Sequence, residues 1–134
     1  MQKIIEDWQP RKLSVLRIMT ALLLIPHGTA KLFGWPSGSG VELYSLMGLA
    51  GLIEFVGGIL FLVGWLTRPT AFILAGFMAV AYFMAHAPQG FIPLLNGGEL
   101  AVLYCFVFLY FFVSGGGAWS VDAQLSPSPR RAAA

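Results

Sequence analysis

The chain has 134 residues, 57% of them hydrophobic and only 10% charged, with a net charge of +2. Its mean hydropathy is +0.77. A soluble domain carries about 25% charged residues to face water, so this composition excludes an ordinary soluble enzyme, a nucleic-acid-binding domain and a disordered chain, and leaves a polytopic membrane protein with lipid on its apolar outside.

A spanning helix needs about 20 mostly apolar residues, and four stretches meet or approach that. The first is expected from Leu13 to Phe33, the second from Val41 to Leu66, the third from Thr70 to Ala87 and the fourth from Gly97 to Val113. Residues 1–12 read as an N-terminal segment, 13–122 as one transmembrane domain and 123–134 as a disordered tail. No A-x-A cleavage site follows the first apolar run, so the first helix is expected to be a retained anchor. Turn chemistry separates the spans. Gly34–Gly40 closes the first hairpin, Thr67-Arg68-Pro69 makes a tight second turn, Ala87–Asn96 is a longer third loop, and Gly115-Gly116-Gly117 ends the last helix.

The basic residues give an orientation. Lys3, Arg11, Lys12, Arg17, Arg68, Arg130 and Arg131 fall on one side of a four-span path, and Lys31 alone on the other. Both termini are therefore expected to be cytoplasmic. The single cysteine, Cys105, excludes an internal disulfide and a cysteine metal cluster; its place in mid-helix suggests packing. A weak internal repeat is suggested by His27 followed by Glu42, and His86 followed by Glu99.

Ionisable groups inside a bilayer are costly and usually face the bundle interior. Glu54 lies halfway along the second span. Gly51, Gly57 and Gly58 share its helical face, and small residues there permit close helix approach. In the first span His27 and Lys31 form an i, i+4 pair beside Pro26, which removes a helix hydrogen bond and predicts a bend. Lys31 is placed either to compensate a carboxylate or to snorkel to headgroups. His86 ends the third span. Glu99 opens the fourth, where Asn96-Gly97-Gly98-Glu99 has capping-box spacing, as does Ser39-Gly40-Val41-Glu42. Glu42 is assigned to a cap; Glu99 is read both as a cap and as a site residue. Together His27, Lys31, Glu54, His86 and Glu99 are the candidate ligand-binding residues of an outward-facing cavity. No catalytic residue and no metal ligand is assigned, because the Glu-x-x-His spacing of di-iron bundles is missing.

These motifs in their order resemble the DoxX family. The matching pieces are Pro26-His27-Gly28-Thr29-Ala30-Lys31-Leu32, Glu54-Phe55-Val56-Gly57-Gly58, Gly64-Trp65-Leu66-Thr67-Arg68, the third helix ending at His86, Asn96-Gly97-Gly98-Glu99-Leu100-Ala101, and Gly115–Asp122. Gly116 replaces a proline common at that place in the family. The resemblance covers about Arg17 to Asp122. It implies a four-helix bacterial inner-membrane protein, similar to the small membrane subunit of thiosulfate:quinone oxidoreductase and associated with redox and oxidative-stress systems. It supports His27, Lys31, Glu54 and Glu99 as motif positions, and places Asp122 at an inner helix end.

The sequence reading is thus an all-α, four-transmembrane-helix bundle in the inner membrane, non-enzymatic or an accessory to an oxidoreductase. Its expected ligand is a small hydrophobic, quinone-like molecule. Its expected partners are the lipid bilayer and a membrane or redox protein, with oligomers possible and no nucleic acid. The alternatives are a scaffold subunit without a ligand and a small transporter or proton conductor.

Overall fold

A computed structural model of the chain describes residues 1–38 and 40–126. Among them there are helices and no strands. They are α1 (Gln2–Phe33), α2 (Leu46–Val63), α3 (Thr67–Ala81), a π turn (Tyr82–His86), a 3-10 turn (Ala87–Gln89), α4 (Pro93–Asn96), α5 (Glu99–Ser114) and α6 (Val121–Leu125). Three stretches are long and apolar enough to cross a membrane: Gln2–Phe33, Leu46–Val63 and Thr67–Gln89. α5 is a shorter apolar helix. The tail from Pro127, with Arg130 and Arg131, lies outside the described residues, as does Ser39 of the first expected capping box.

Several helix ends differ from the sequence expectation, each for a local reason. α1 starts eleven residues before Leu13, at Gln2, and continues through Pro10 and Pro26 without interruption. α2 starts at Leu46 instead of Val41, because Ser45 is its N-cap and accepts the Gly48 N–H at 3.0 Å. Glu42 therefore lies outside α2 and does not cap it. α2 stops at Val63 because Gly64 takes a left-handed conformation that costs a residue with a Cβ far more. Thr67-Arg68-Pro69 is the first turn of α3 and not the connection. Proline is tolerated there, since a first-turn N–H has no helical partner to lose.

The chain divides into two compact units, Met1–Thr67 with Gly116–Ala134, and Arg68–Gly115. In the first, α1 and α2 pack at backbone distance. A Cβ on Gly28 would stand 2.6 Å from the Phe55 nitrogen, and one on Gly58 2.8 Å from Ile25, so only glycine allows this approach. Phe33 and Phe55 meet edge to face at 5.8 Å.

One end of this unit is tied by Arg17. The orientation argument counts it among the basic residues of one side of the membrane, and it is fully buried. Its guanidinium donates to the carbonyls of Gly116 at 2.8 Å, Phe61 at 2.5 Å, Trp119 at 2.8 Å, and Leu62. Phe61 and Leu62 belong to the last turn of α2, where carbonyls run short of helical donors; Phe61 O also takes the Gly64 N–H at 3.2 Å. A cation suits that end of the helix dipole. Ser14 Oγ accepts the Trp119 N–H at 2.9 Å, and the Ala118 N–H donates to Pro10 O. A carboxylate completes the arrangement. Asp122 accepts the Leu66 and Thr67 backbone N–H groups at 2.8 Å each.

In the second unit Arg68 does the same job. It donates to Phe112 O at 2.9 Å and Val113 O at 2.5 Å, in the last turn of α5. Arg17 precedes Phe61 and Leu62 by 44 and 45 residues, as Arg68 precedes Phe112 and Val113. The following glycine, Gly64 or Gly115, has positive φ in both. The two hairpins thus share an arginine cap as well as the His–Glu spacing seen in the sequence.

Two outcomes are expected. Arg17→Met leaves buried carbonyls without donors and should lower unfolding stability by about 3 kcal/mol, whereas Arg68→Met, at an exposed position, should cost under about 1 kcal/mol; thermal unfolding in detergent compares them. Burial alone would raise the pKa of Asp122, but hydrogen bonds from Thr67 and Leu66 and the charge of Arg17 outweigh it and hold the carboxyl below its ordinary value. Its stabilising contribution is therefore present above the unfolded carboxyl pKa of about 3.9 and is lost as pH falls through the lower folded value. The stability gap between the parent and Asp122→Asn should accordingly close below about pH 4, read from unfolding curves at stepped pH.

Candidate functional site

The first unit brings three of the five sequence-predicted residues to one place. Glu54 is buried on α2, and its Oε2 lies 2.5 Å from Lys31 Nζ of α1. The carboxylate side chain is 6% exposed and the lysine 23% exposed, so the pair is screened from water on one side and open on the other. Glycine builds this contact. A Cβ on Gly51, one turn before Glu54, would stand 2.9 Å from Lys31 Cβ. Without that clearance α2 could not slide under the lysine stem. An ion pair in low dielectric repays desolvation only with close geometry, and these small residues supply it.

His27, one turn before Lys31, is exposed and shares a cleft with it. The cleft has a volume of about 370 Å³ and is lined by Pro26, His27, Ala30 and Lys31 of α1 and by Pro36, Ser37 and Val41 of the connection to α2. The Val41 N–H donates to Lys31 O at 2.8 Å, which folds the connection back over the end of α1. The connection's part in the cleft has a faint sequence signal, a glycine-rich turn immediately after the His-Lys pair. Chemically the cleft offers an imidazole, an ammonium already neutralised by a carboxylate, and a serine beside apolar walls. Among the described residues no group of His, Cys, Asp and Glu is arranged to hold a metal ion.

His86 and Glu99 belong to the second unit, and there they are differently employed. His86 ends the π turn, stacks on Tyr82 with ring centroids 6.3 Å apart, and its Nδ1 meets Asn96 O at 3.1 Å. A carbonyl only accepts, so Nδ1 carries the proton in this contact. Glu99 is exposed in the first turn of α5. The expected capping box does not form. The N-cap is Gly98, and Asn96 Oδ1 accepts the Gly98 N–H at 2.8 Å, one residue short of the i, i+3 contact of a box. Asn96 was visible in the sequence only as a cap, yet it is buried and also donates to Tyr82 Oη at 3.2 Å and Gly90 O at 2.6 Å.

The DoxX family model matches residues 12–87, more than half of the chain. The chain belongs to the DoxX family. It is 46% identical over 125 residues to an uncharacterized protein of Haemophilus influenzae, covering 88% of this chain and 93% of that one. It is 34% identical over 122 residues to the inner membrane protein YqjF of Escherichia coli, covering 84% and 90%. No solved structure matches. The matched family segment contains His27, Lys31, Glu54 and His86 but stops before Glu99. With its apolar helices, the chain is a multi-pass bacterial inner-membrane protein of this family.

The ion pair yields a stability test. Lys31→Met leaves a buried carboxylate unpartnered and should cost about 3 kcal/mol, while Lys31→Met with Glu54→Leu should recover most of that loss. A double-mutant cycle by thermal unfolding measures it, and simple additivity would show that the two side chains do not act together.

Proposed function

We propose that this DoxX-family protein binds a small hydrophobic molecule with a polar oxygen, quinone-like in character, in the cleft beside Lys31 and Glu54, as an accessory to a membrane redox system. The observation that carries this reading is the buried carboxylate–ammonium pair whose ammonium also borders a cleft of about 370 Å³. That volume lies within the range of about 300–1,000 Å³ used by small-molecule sites. Lys31 is a donor for a ligand oxygen, and Glu54 holds its ammonium in place at 2.5 Å. The His27 imidazole can donate or accept a hydrogen bond to the same ligand. The quinone-like character comes from the family resemblance and from apolar walls with few polar groups. The basic-residue distribution supports cytoplasmic termini and a cleft facing outward. The site so proposed is that of the first unit; His86 and Glu99 are assigned no part in it.

A second reading has its own observation. Lys31 and Glu54 neutralise each other, and Arg17 shows that this chain uses buried charge to tie helices together. On that reading the protein is a scaffold subunit whose polar residues only lock the hairpin.

One experiment separates them. Protein in nanodiscs is titrated with a short-chain quinone analogue, and native mass spectrometry identifies what co-purifies. Under the first reading Glu54→Gln weakens retention about tenfold, the effect of losing one charge-assisted hydrogen bond, and the unfolding temperature stays close to the parent's. A large loss of stability with no binding by parent or variant supports the scaffold and ends the ligand proposal.

A further inference from the structure

The last apolar helix is too short for the bilayer. α5 has 16 residues, about 24 Å at 1.5 Å per residue, against a hydrocarbon core of about 30 Å. A deficit of about 6 Å must be filled by neighbouring residues or by thinning the membrane. The C-terminal end cannot fill it: Arg68 holds the carbonyls of Phe112 and Val113 there, and Gly115 follows with positive φ. A guanidinium at that end marks the polar boundary of the span.

The preceding loop has what is missing. Residues 87–98 contain no charged side chain, and the first that follows is Glu99, exposed in the first turn of α5. Phe91, Ile92, Leu94 and Leu95 are each more than half exposed, and they precede a band on α5 of exposed Leu103 and Phe106. Unsatisfied backbone polar groups are costly in hydrocarbon, and in this loop five carbonyls are satisfied from within. The carbonyls of Gly90, Phe91, Ile92, Pro93 and Asn96 all receive donors from their own unit. Gly90 O takes Asn96 Nδ2, Phe91 O takes the Tyr82 hydroxyl, and Asn96 O takes His86 Nδ1. Ile92 O takes the N–H groups of Leu95 and Asn96, and Pro93 O that of Gly98. Pro93 itself has no N–H to satisfy. The buried Asn96 and Tyr82 hold the whole arrangement from beneath.

From these observations we infer that Phe91–Leu95 is a re-entrant loop whose partner is the acyl-chain region of the bilayer. It completes the lipid-facing surface of the fourth span. The π turn and the Tyr82–Asn96–His86 network are the device that lets a loop sit where a helix would otherwise be required.

The test is spin-label accessibility in liposomes with the full chain. In a Cys105→Ala background, Leu94→Cys and Phe91→Cys carry nitroxides, with Leu103→Cys as the lipid-facing control and Gln89→Cys as the comparison nearer water. The expected result is that labels at 91 and 94 collide several-fold more with oxygen, which partitions into lipid, than with an aqueous nickel chelate, matching position 103. Preferential collision with nickel overturns the inference. Protection from both reagents also overturns it, because a protein partner or a second copy then covers the loop. Should either label prevent a monodisperse preparation, Leu95→Cys replaces it and is read by the same ratio.

Discussion

A charge that cannot reach water must find its counterpart inside the protein, and this requirement organises the first unit. Lys31 and Glu54 meet it with each other. Arg17 meets it with four backbone carbonyls. The two solutions sit on the same pair of helices, and both depend on glycine. Gly28 and Gly51 bring α1 and α2 close enough for the ion pair. Gly64, which ends α2, leaves room for the guanidinium, since a Cβ there would stand 2.9 Å from Arg17 Cζ. Electrostatics and backbone packing are therefore one constraint and not two. A bulkier residue at these glycines would separate the helices and strand the charges together.

The general architecture was legible because hydrophobic length is a strong signal. The apolar stretches, the turn glycines and the inward placement of Glu54 all follow from composition and helical periodicity. Arg17 was not legible as a structural residue. A positive charge near the start of an apolar helix reads equally as a topology signal, and only the packing of the end of α2 and of Gly116–Trp119 around it reveals its acceptors. Asp122 was placed at a helix end, and it does accept the N–H groups that open α3.

The failures were of a different kind. Capping-box spacing occurs at both Ser39–Glu42 and Asn96–Glu99, but Ser45 and Gly98 begin the helices instead. A four-residue pattern cannot say where the preceding loop leaves the chain. The candidate site shows the same division. The i, i+4 spacing of His27 and Lys31 fixed their shared face, and the glycines beside Glu54 announced a close neighbour. What no spacing could show is that His86 spends its ring on Asn96 and Tyr82, while Glu99 opens its helix exposed.

The π turn at Tyr82–His86 has a bearing on how relatives should be compared. Such a turn accommodates one more residue than an α-helical turn, so the chain beyond it is rotated by about 100° relative to an unbroken helix. The stripe formed by Ala71, Leu74, Ala75 and Met78 ends at Tyr82. A homologous chain one residue shorter here would continue that stripe straight on and carry its terminal histidine to a different side of the span. Gaps of a single position in this stretch therefore separate two helix geometries, and a histidine matched across such a gap need not occupy the same place in space.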